Sequence, residues 1–123
     1  MSGIQTRTEI LNDVKKYLFF RNSATNYGLF PVNSLLGFSD DGDSATGLIV
    51  YFAPQRNAAS GYFDYVELTV SNHTDAIKDI MDAINFSKQT VITIADDLNS
   101  EYVSSNVSAT TNIGDTGYTD QFE

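Results

Sequence analysis

Carboxylates are the side chains of this sequence that could do chemistry, and they cluster at two places. The first is the run Asp40-Asp41-Gly42-Asp43, and the second is the pair Asp96-Asp97. Hard cations such as Ca²⁺ bind several carboxylate oxygens, so a metal-assisted hydrolase or small-ligand site would require these two turns to converge. The first run departs from the calcium-loop pattern, because the sixth position counted from Asp41 is Thr46 where that pattern has glycine. We therefore predict two solvated turns and no metal site.

Other side chains with catalytic potential are sparse. His73 is the only histidine, and cysteine is absent, which excludes disulfides, thiolate zinc sites and cysteine nucleophiles. Acid–base catalysis at His73 would need partners that the sequence does not place beside it. The glycines are isolated and form no phosphate-binding loop. We predict a protein that is not an enzyme and that has no catalytic residues and no cofactor.

The charge of the chain limits its partners. The formal net charge is −9, and no basic residue follows Lys88. Nonspecific binding to nucleic acid or to an anionic membrane needs clustered Lys and Arg, so we expect neither partner. The sequence has no run of 18 apolar residues and no signal-peptide pattern at its start, so we expect a protein made in a cytoplasm.

Aromatic residues are concentrated between Tyr51 and Tyr65, where three tyrosines and two phenylalanines occur. Exposed aromatic rings in this segment could stack on a base or a sugar. The cationic residues that would guide a nucleic acid to them are missing. The pattern therefore favours a core or a subunit interface.

Two helices are predicted around these candidate groups. Thr6 and Glu9 have capping-box spacing, and the apolar residues that follow them indicate a helix from about Thr8 to Phe20. The second helix begins behind a cap at Asn72 or Thr74, and its apolar residues lie at i, i+3, i+4 and i+7: Ile77, Ile80, Met81 and Ile84.

The predicted strands are rich in β-branched and aromatic residues and lie at Leu48–Phe52, Tyr62–Val70, Val91–Ile94 and Tyr102–Val107. Leu29–Phe38 is interrupted by Pro31, which indicates an edge strand or an extended loop. The predicted fold class is α+β, with a single mixed or mainly antiparallel sheet of four to five strands and two helices on one face. Residues 1–107 would form this single domain.

Residues 108–123 form a polar C-terminal arm in this interpretation. The segment is rich in Ser, Thr, Asn, Gly and Asp, yet it retains Ile113, Tyr118 and Phe122. A polar segment with spaced apolar anchors is typical of an arm that becomes ordered on a neighbouring subunit. We therefore predict a homo-oligomer whose candidate interface residues are Ile113, Tyr118 and Phe122.

Three segments carry a resemblance to a known group of proteins: Tyr62–Val70, Ala83–Asn85 and Val91–Asp97. They resemble small virion structural or uncharacterised proteins of marine tailed bacteriophages, cyanophages in particular. The resemblance implies a symmetric oligomer located in the virion, which forms part of the phage particle or decorates its capsid beside other virion proteins. It implies no enzymatic role.

The sequence thus supports three functional hypotheses. The first is a non-enzymatic phage structural protein, a self-assembling virion or capsid-decorating component. The second is an acidic phage-encoded inhibitor that mimics nucleic acid and binds a basic host protein. Its acidic residues, however, are spread over several segments of the chain. The third is the metal-assisted hydrolase or small-ligand binder described above.

Overall fold

A computed structural model describes residues 15–42, 45–54 and 63–116. This part of the chain contains eight β-strands and one α-helix in the order β1 (Tyr17–Ser23), β2 (Asn26–Pro31), β3 (Leu35–Asp40), β4 (Gly47–Phe52), β5 (Phe63–Val70), α1 (His73–Phe86), β6 (Val91–Asp96), β7 (Glu101–Tyr102) and β8 (Val107–Thr116). A short 3₁₀ turn, Val32–Ser34, separates β2 from β3.

The strands form two sheets of four. Sheet A has the order β2-β1-β6-β7, and sheet B has the order β3-β4-β5-β8. The β1–β6 pair is parallel, and all other pairs are antiparallel. The predicted single α+β sheet is therefore wrong. Each sheet buries one face against the other, and one α-helix, not two, is found in the part of the chain that the structure describes.

The error lies largely at the predicted helix from Thr8 to Phe20. Its last four residues, Tyr17–Phe20, belong to β1, whereas residues 8–14 lie outside the described part of the chain. Four consecutive apolar residues fit a helix or a strand equally well. The strand is decided by pairing, because β1 is hydrogen-bonded to β2 on one side and to β6 on the other.

The core lies between the sheets and contains a cluster of aromatic rings. Phe30 from sheet A stacks on Phe52 from sheet B, with ring centroids 4.2 Å apart. Phe20 meets both of these rings edge-on at 5.9 Å. Edge-to-face and offset-stacked rings add stabilisation beyond area burial, about 1 kcal/mol for each pair. These contacts join the two sheets into one core.

Helix α1 connects sheet B to sheet A and covers part of the same core. Asn72 caps it by accepting a hydrogen bond from Asp75 N, as predicted, and Ala76 and Ile80 are buried. At its other end, Lys16 Nζ donates to the carbonyl oxygens of Ile84 and Ser87 at 2.9 and 2.8 Å. A cation at this end also interacts favourably with the helix dipole.

Several local predictions are confirmed, and two are wrong. Strands β4, β5 and β6 coincide with the predicted strands, apart from Tyr62, which lies outside the described residues. The predicted strand Tyr102–Val107 is wrong, because Tyr102 ends β7, Val107 begins β8, and residues 103–106 form the bend between them. Residues 108–116 of the predicted arm belong to β8, which is paired with β5 throughout. The register of this pair shifts at two places, between Glu67 and Leu68 and between Thr69 and Val70.

Candidate functional site

Asp96 is the centre of a polar network at the carboxyl end of β6. Arg21 donates from Nε and Nη2 to its two carboxylate oxygens at 2.8 and 2.7 Å. Only 3 % of the Asp96 side chain is exposed, and the turn after β6 donates to it from Leu98 N, Asn99 N and Asn99 Nδ2. The hydrogen bond from Arg21 is the main cause that lowers the pKa of Asp96, against the opposing effect of burial. The carboxylate is therefore held charged and fully engaged inside the protein.

Asp97 joins the two sheets. Its carboxylate accepts from Thr110 N in β8 at 3.1 and 3.2 Å and from the Tyr102 hydroxyl at 2.9 Å. Burial, followed by the hydrogen bond to Asp97, raises the pKa of Tyr102. Thr110 is itself buried and donates from its hydroxyl to the Ala95 carbonyl. The Asp96-Asp97 pair thus connects β1, β6 and β8, and its oxygens serve internal contacts.

The other acidic turn lies between β3 and β4. Asp40 accepts from Gly42 N at 3.0 Å, and Gly42 has φ +81°, a conformation that favours glycine. The Asp41 carboxylate lies over Gly47, since a Cβ at Gly47 would be within 3.0 Å of three of its atoms. Asp43 lies outside the described residues. Among the residues that are described, no group of three His, Asp or Glu side chains could hold a metal ion.

His73 has a structural contact at the start of α1. Its Nε2–H donates to the Gly47 carbonyl at 2.6 Å, because a carbonyl oxygen can only accept. This bond ties the helix N-terminus to the first residue of β4.

The outward side of sheet A is unusually apolar. It is formed by alternate residues of β1, β2 and β6, and their cross-strand pairs place them side by side. Tyr27, Leu29 and Val91 are exposed by 61 %, 48 % and 44 %. We define the apolar face of sheet A by the following residues: Tyr17, Phe19, Tyr27, Leu29, Pro31 and Val91. This surface was not predicted, because Tyr17 and Phe19 fit the predicted helix and the run of four apolar residues that contains them does not separate a helix from a strand.

Charged side chains border this surface at the end of the sheet where β1 and β6 finish. Arg21 stacks on the Phe19 ring, 5.3 Å from its centroid, and forms the ion pair with Asp96. Glu101 lies opposite Asp96 in the β6–β7 strand pair, and its negative charge also attracts the Arg21 guanidinium. None of the residues that define the apolar face of sheet A is charged.

The outward side of sheet B has a row of four residues in register: Gly37, Tyr51, Tyr65 and Gly114. At one end the Tyr65 ring lies over Gly114, because a Cβ there would be 3.3 Å from the Tyr65 Oη. At the other end, apart from Gly37 itself and its two chain neighbours, no described atom lies within 4 Å of the equivalent position. A recess of about 270 Å³ is present there, lined by Leu36, Gly37, Phe38 and Tyr51.

Of the three predicted interface residues, Ile113 lies within the described part of the chain. Ile113 lies in β8 opposite Val66 of β5, and it packs against the core of its own chain. Tyr118 and Phe122 lie outside the described residues. The interface prediction for all three residues stays a prediction.

Comparison with known proteins identifies no relative. No protein-family model matches the chain. No curated protein and no solved structure matches it. In the part of the chain that the structure describes, no helix has the length and apolar character needed to span a membrane.

Proposed function

We propose that this chain is a non-enzymatic structural protein that assembles with copies of itself through the apolar face of sheet A. The observation that carries the proposal is the exposure of Tyr27, Leu29 and Val91 on one continuous surface. Contiguous exposed apolar surface of this kind is typical of interaction sites. A role in a phage particle, as a virion or capsid-decorating component, is the setting that the sequence resemblance suggests.

Electrostatics favours a second copy as the partner. Two chains of net charge −9 repel each other unless they meet at a surface without unpaired acidic groups. The six residues that define the apolar face of sheet A are uncharged, and three of them belong to β2, an edge strand of the sheet. A self-complementary contact related by a two-fold axis would cover the apolar residues of both copies and protect the two β2 edges.

The alternative, an acidic mimic of nucleic acid, has less support. A mimic needs carboxylates that face outward in a dense array. Asp96 and Asp97 are engaged by internal donors, and Asp79 accepts from Ser104 and Asn106, which lower its pKa. These carboxylates stabilise the fold and are not presented to a basic partner.

The test is light scattering coupled to size-exclusion chromatography over a range of concentrations. We expect a discrete oligomer for the full chain and a smaller species for Leu29→Glu, because a symmetric contact would bring two new carboxylates together. Leu98→Glu is the matched control, since Leu98 is 53 % exposed but lies in the turn after β6.

Circular dichroism should show that both variants remain folded. A monomeric full chain at high concentration would refute self-assembly. A stable oligomer in both variants would instead place the contact on another surface and refute the role of the apolar face.

A further inference from the structure

The main chain of β2 has an edge that faces away from β1. Val32 N donates to the Lys16 carbonyl at 2.9 Å, which continues the β1–β2 register. Because hydrogen-bonded and non-hydrogen-bonded pairs alternate along an antiparallel ladder, the main-chain N–H and C=O groups of Tyr27 and Leu29 point away from β1. In sheet A as the structure describes it, β2 is the outermost strand. The main-chain groups of Tyr27 and Leu29 can therefore bind a further strand.

The sequence of β2 is self-complementary about Gly28. If two β2 strands pair antiparallel with Gly28 opposite Gly28, Tyr27 of each copy is opposite Leu29 of the other. Each of these pairs can exchange two main-chain hydrogen bonds. Their side chains lie on the same outward side, so an aromatic ring contacts an aliphatic side chain across the junction. Pro31, which follows on this edge, has no N–H and limits the pairing to these residues.

The other strand edges in the described part of the chain are less suited to pairing. Strand β7 has only two residues, and β3 has a register shift and ends at the acidic Asp40. In β8, side chains engage the main chain of Thr110: Asp97 accepts from its N–H, and Asn22 Nδ2 donates to its carbonyl at 2.6 Å. Short strands, bulges and charges are the usual protection of sheet edges. Apart from Pro31 at its end, β2 has none of these features.

We infer that β2 pairs antiparallel with β2 of a second copy, with Gly28 opposite Gly28, so that the two four-stranded sheets A form one continuous sheet. This inference rests on the proposed self-assembly and specifies its main-chain contact. A second copy fits the edge because β2 carries no charged residue, so two chains of net charge −9 meet there without opposed carboxylates. A two-fold axis between the two Gly28 residues relates the copies.

Amide hydrogen exchange in the unmodified chain tests the pairing directly. We expect the N–H groups of Tyr27 and Leu29 to exchange at least about tenfold more slowly in the oligomer than in the monomer obtained by dilution. Phe38 N–H is the internal control. The bond from Asp41 N to the Gly47 carbonyl fixes the alternation in β3, so Phe38 N–H points away from β4. Its exchange should not change on dilution, and light scattering establishes the state of each sample.

Disulfide cross-linking tests the register. The chain has no cysteine, so Tyr27→Cys and Leu29→Cys each introduce a single thiol. The two variants, with different tags, are mixed and oxidised with diamide. A disulfide should form between the different variants, because opposite Cα atoms are about 5.5 Å apart. Either variant alone should not cross-link, since its own two cysteines are about 8 Å apart, beyond the limit for a disulfide.

The matched control for cross-linking is Leu98→Cys, because Leu98 is equally exposed but lies in the turn after β6. It should cross-link with neither variant. Circular dichroism and light scattering establish that every variant is folded and assembled.

Four results would overturn the inference. An oligomer without protection of the Tyr27 and Leu29 amides and without the mixed disulfide would exclude edge pairing but leave assembly through the apolar face of sheet A intact. A monomeric full chain would refute both proposals. Protection that persists in the monomer would show that the edge is covered within one chain. A disulfide in Tyr27→Cys alone would establish a different register.

Discussion

The two Asp-Asp dipeptides of this chain have opposite roles. Asp96-Asp97 ends a strand inside the protein, where Arg21, Thr110 and Tyr102 donate to its oxygens. Asp40-Asp41 ends β3 at a turn, and Asp40 is exposed. The same two residues therefore connect sheets in one place and form a turn in the other. The difference shows that the role of a carboxylate here depends on the donors that tertiary structure brings to it.

Neutralising one carboxylate in each turn should separate the two dipeptides most clearly. Asp96→Asn removes the charge that Arg21 pairs with and should lower the free energy of unfolding by about 3 kcal/mol. Asp40→Asn should change it by less than about 0.5 kcal/mol. Urea denaturation monitored by circular dichroism measures both. If both substitutions lowered the free energy of unfolding equally, the Arg21–Asp96 ion pair would contribute no more to stability than the exposed Asp40 carboxylate.

Acid should act through the internal carboxylates. The pKa of Asp96 is lowered in the folded state, so its contribution is fully present above the unfolded-state pKa of about 3.9 and is lost as the pH falls toward the folded-state value. The pKa of Asp79 is also lowered in the folded state, so its contribution to stability is lost on acidification in the same way. Urea unfolding between pH 7 and pH 3 should therefore show a loss of stability that is smaller in Asp96→Asn. A curve with the same acid dependence in the variant would contradict this assignment.

A smaller effect is expected at Asp97. Asp97→Asn keeps one acceptor oxygen but places an amide where Thr110 N or the Tyr102 hydroxyl now donates. The loss should be about 1 kcal/mol in the free energy of unfolding. Asp40→Asn is again the control in the other turn, because Asp40 is exposed. A cost for Asp97→Asn as large as that for Asp96→Asn would show that the inter-sheet contact matters as much as the ion pair.

The smallest effect is expected from divalent cations. A ligand that binds only the folded state raises the melting temperature. Because Asp96 and Asp97 are engaged internally, we expect no shift of the melting temperature on addition of millimolar Ca²⁺ or Mg²⁺. A shift that Asp40→Asn abolishes would establish a cation site at the β3–β4 turn.

The candidate surfaces were only partly predictable. The aromatic segment from Tyr51 to Tyr65 was expected to form part of a core or an interface. Because side chains alternate between the two faces of a strand, Phe52 is buried, whereas Tyr51 and Tyr65 lie on the outward side of sheet B. The apolar face of sheet A was not predicted, since Phe19 and Leu29 become neighbours only when β1 pairs with β2. Residues 108–116 of the predicted arm were not recognised as a strand for the same reason, because the polar strand β8 is held by its pairing with β5.

Local periodicity was sufficient to identify the elements in which it is unambiguous. Ile77, Ile80 and Ile84 recur with helical spacing behind the Asn72 cap, and Val66, Leu68 and Val70 alternate along β5. These patterns depend on residues close together in the chain, and the structure has a helix and a strand at these positions.

Long-range contacts, in contrast, set the division of the strands into two sheets and the role of each acidic residue. The parallel pairing of β1 with β6 joins Arg21 to Asp96 across 75 positions of the chain. Strand hydrogen bonds and ion pairs between such distant residues leave no periodic trace in the sequence. Burial of a carboxylate is therefore set by the partners that folding assembles around it.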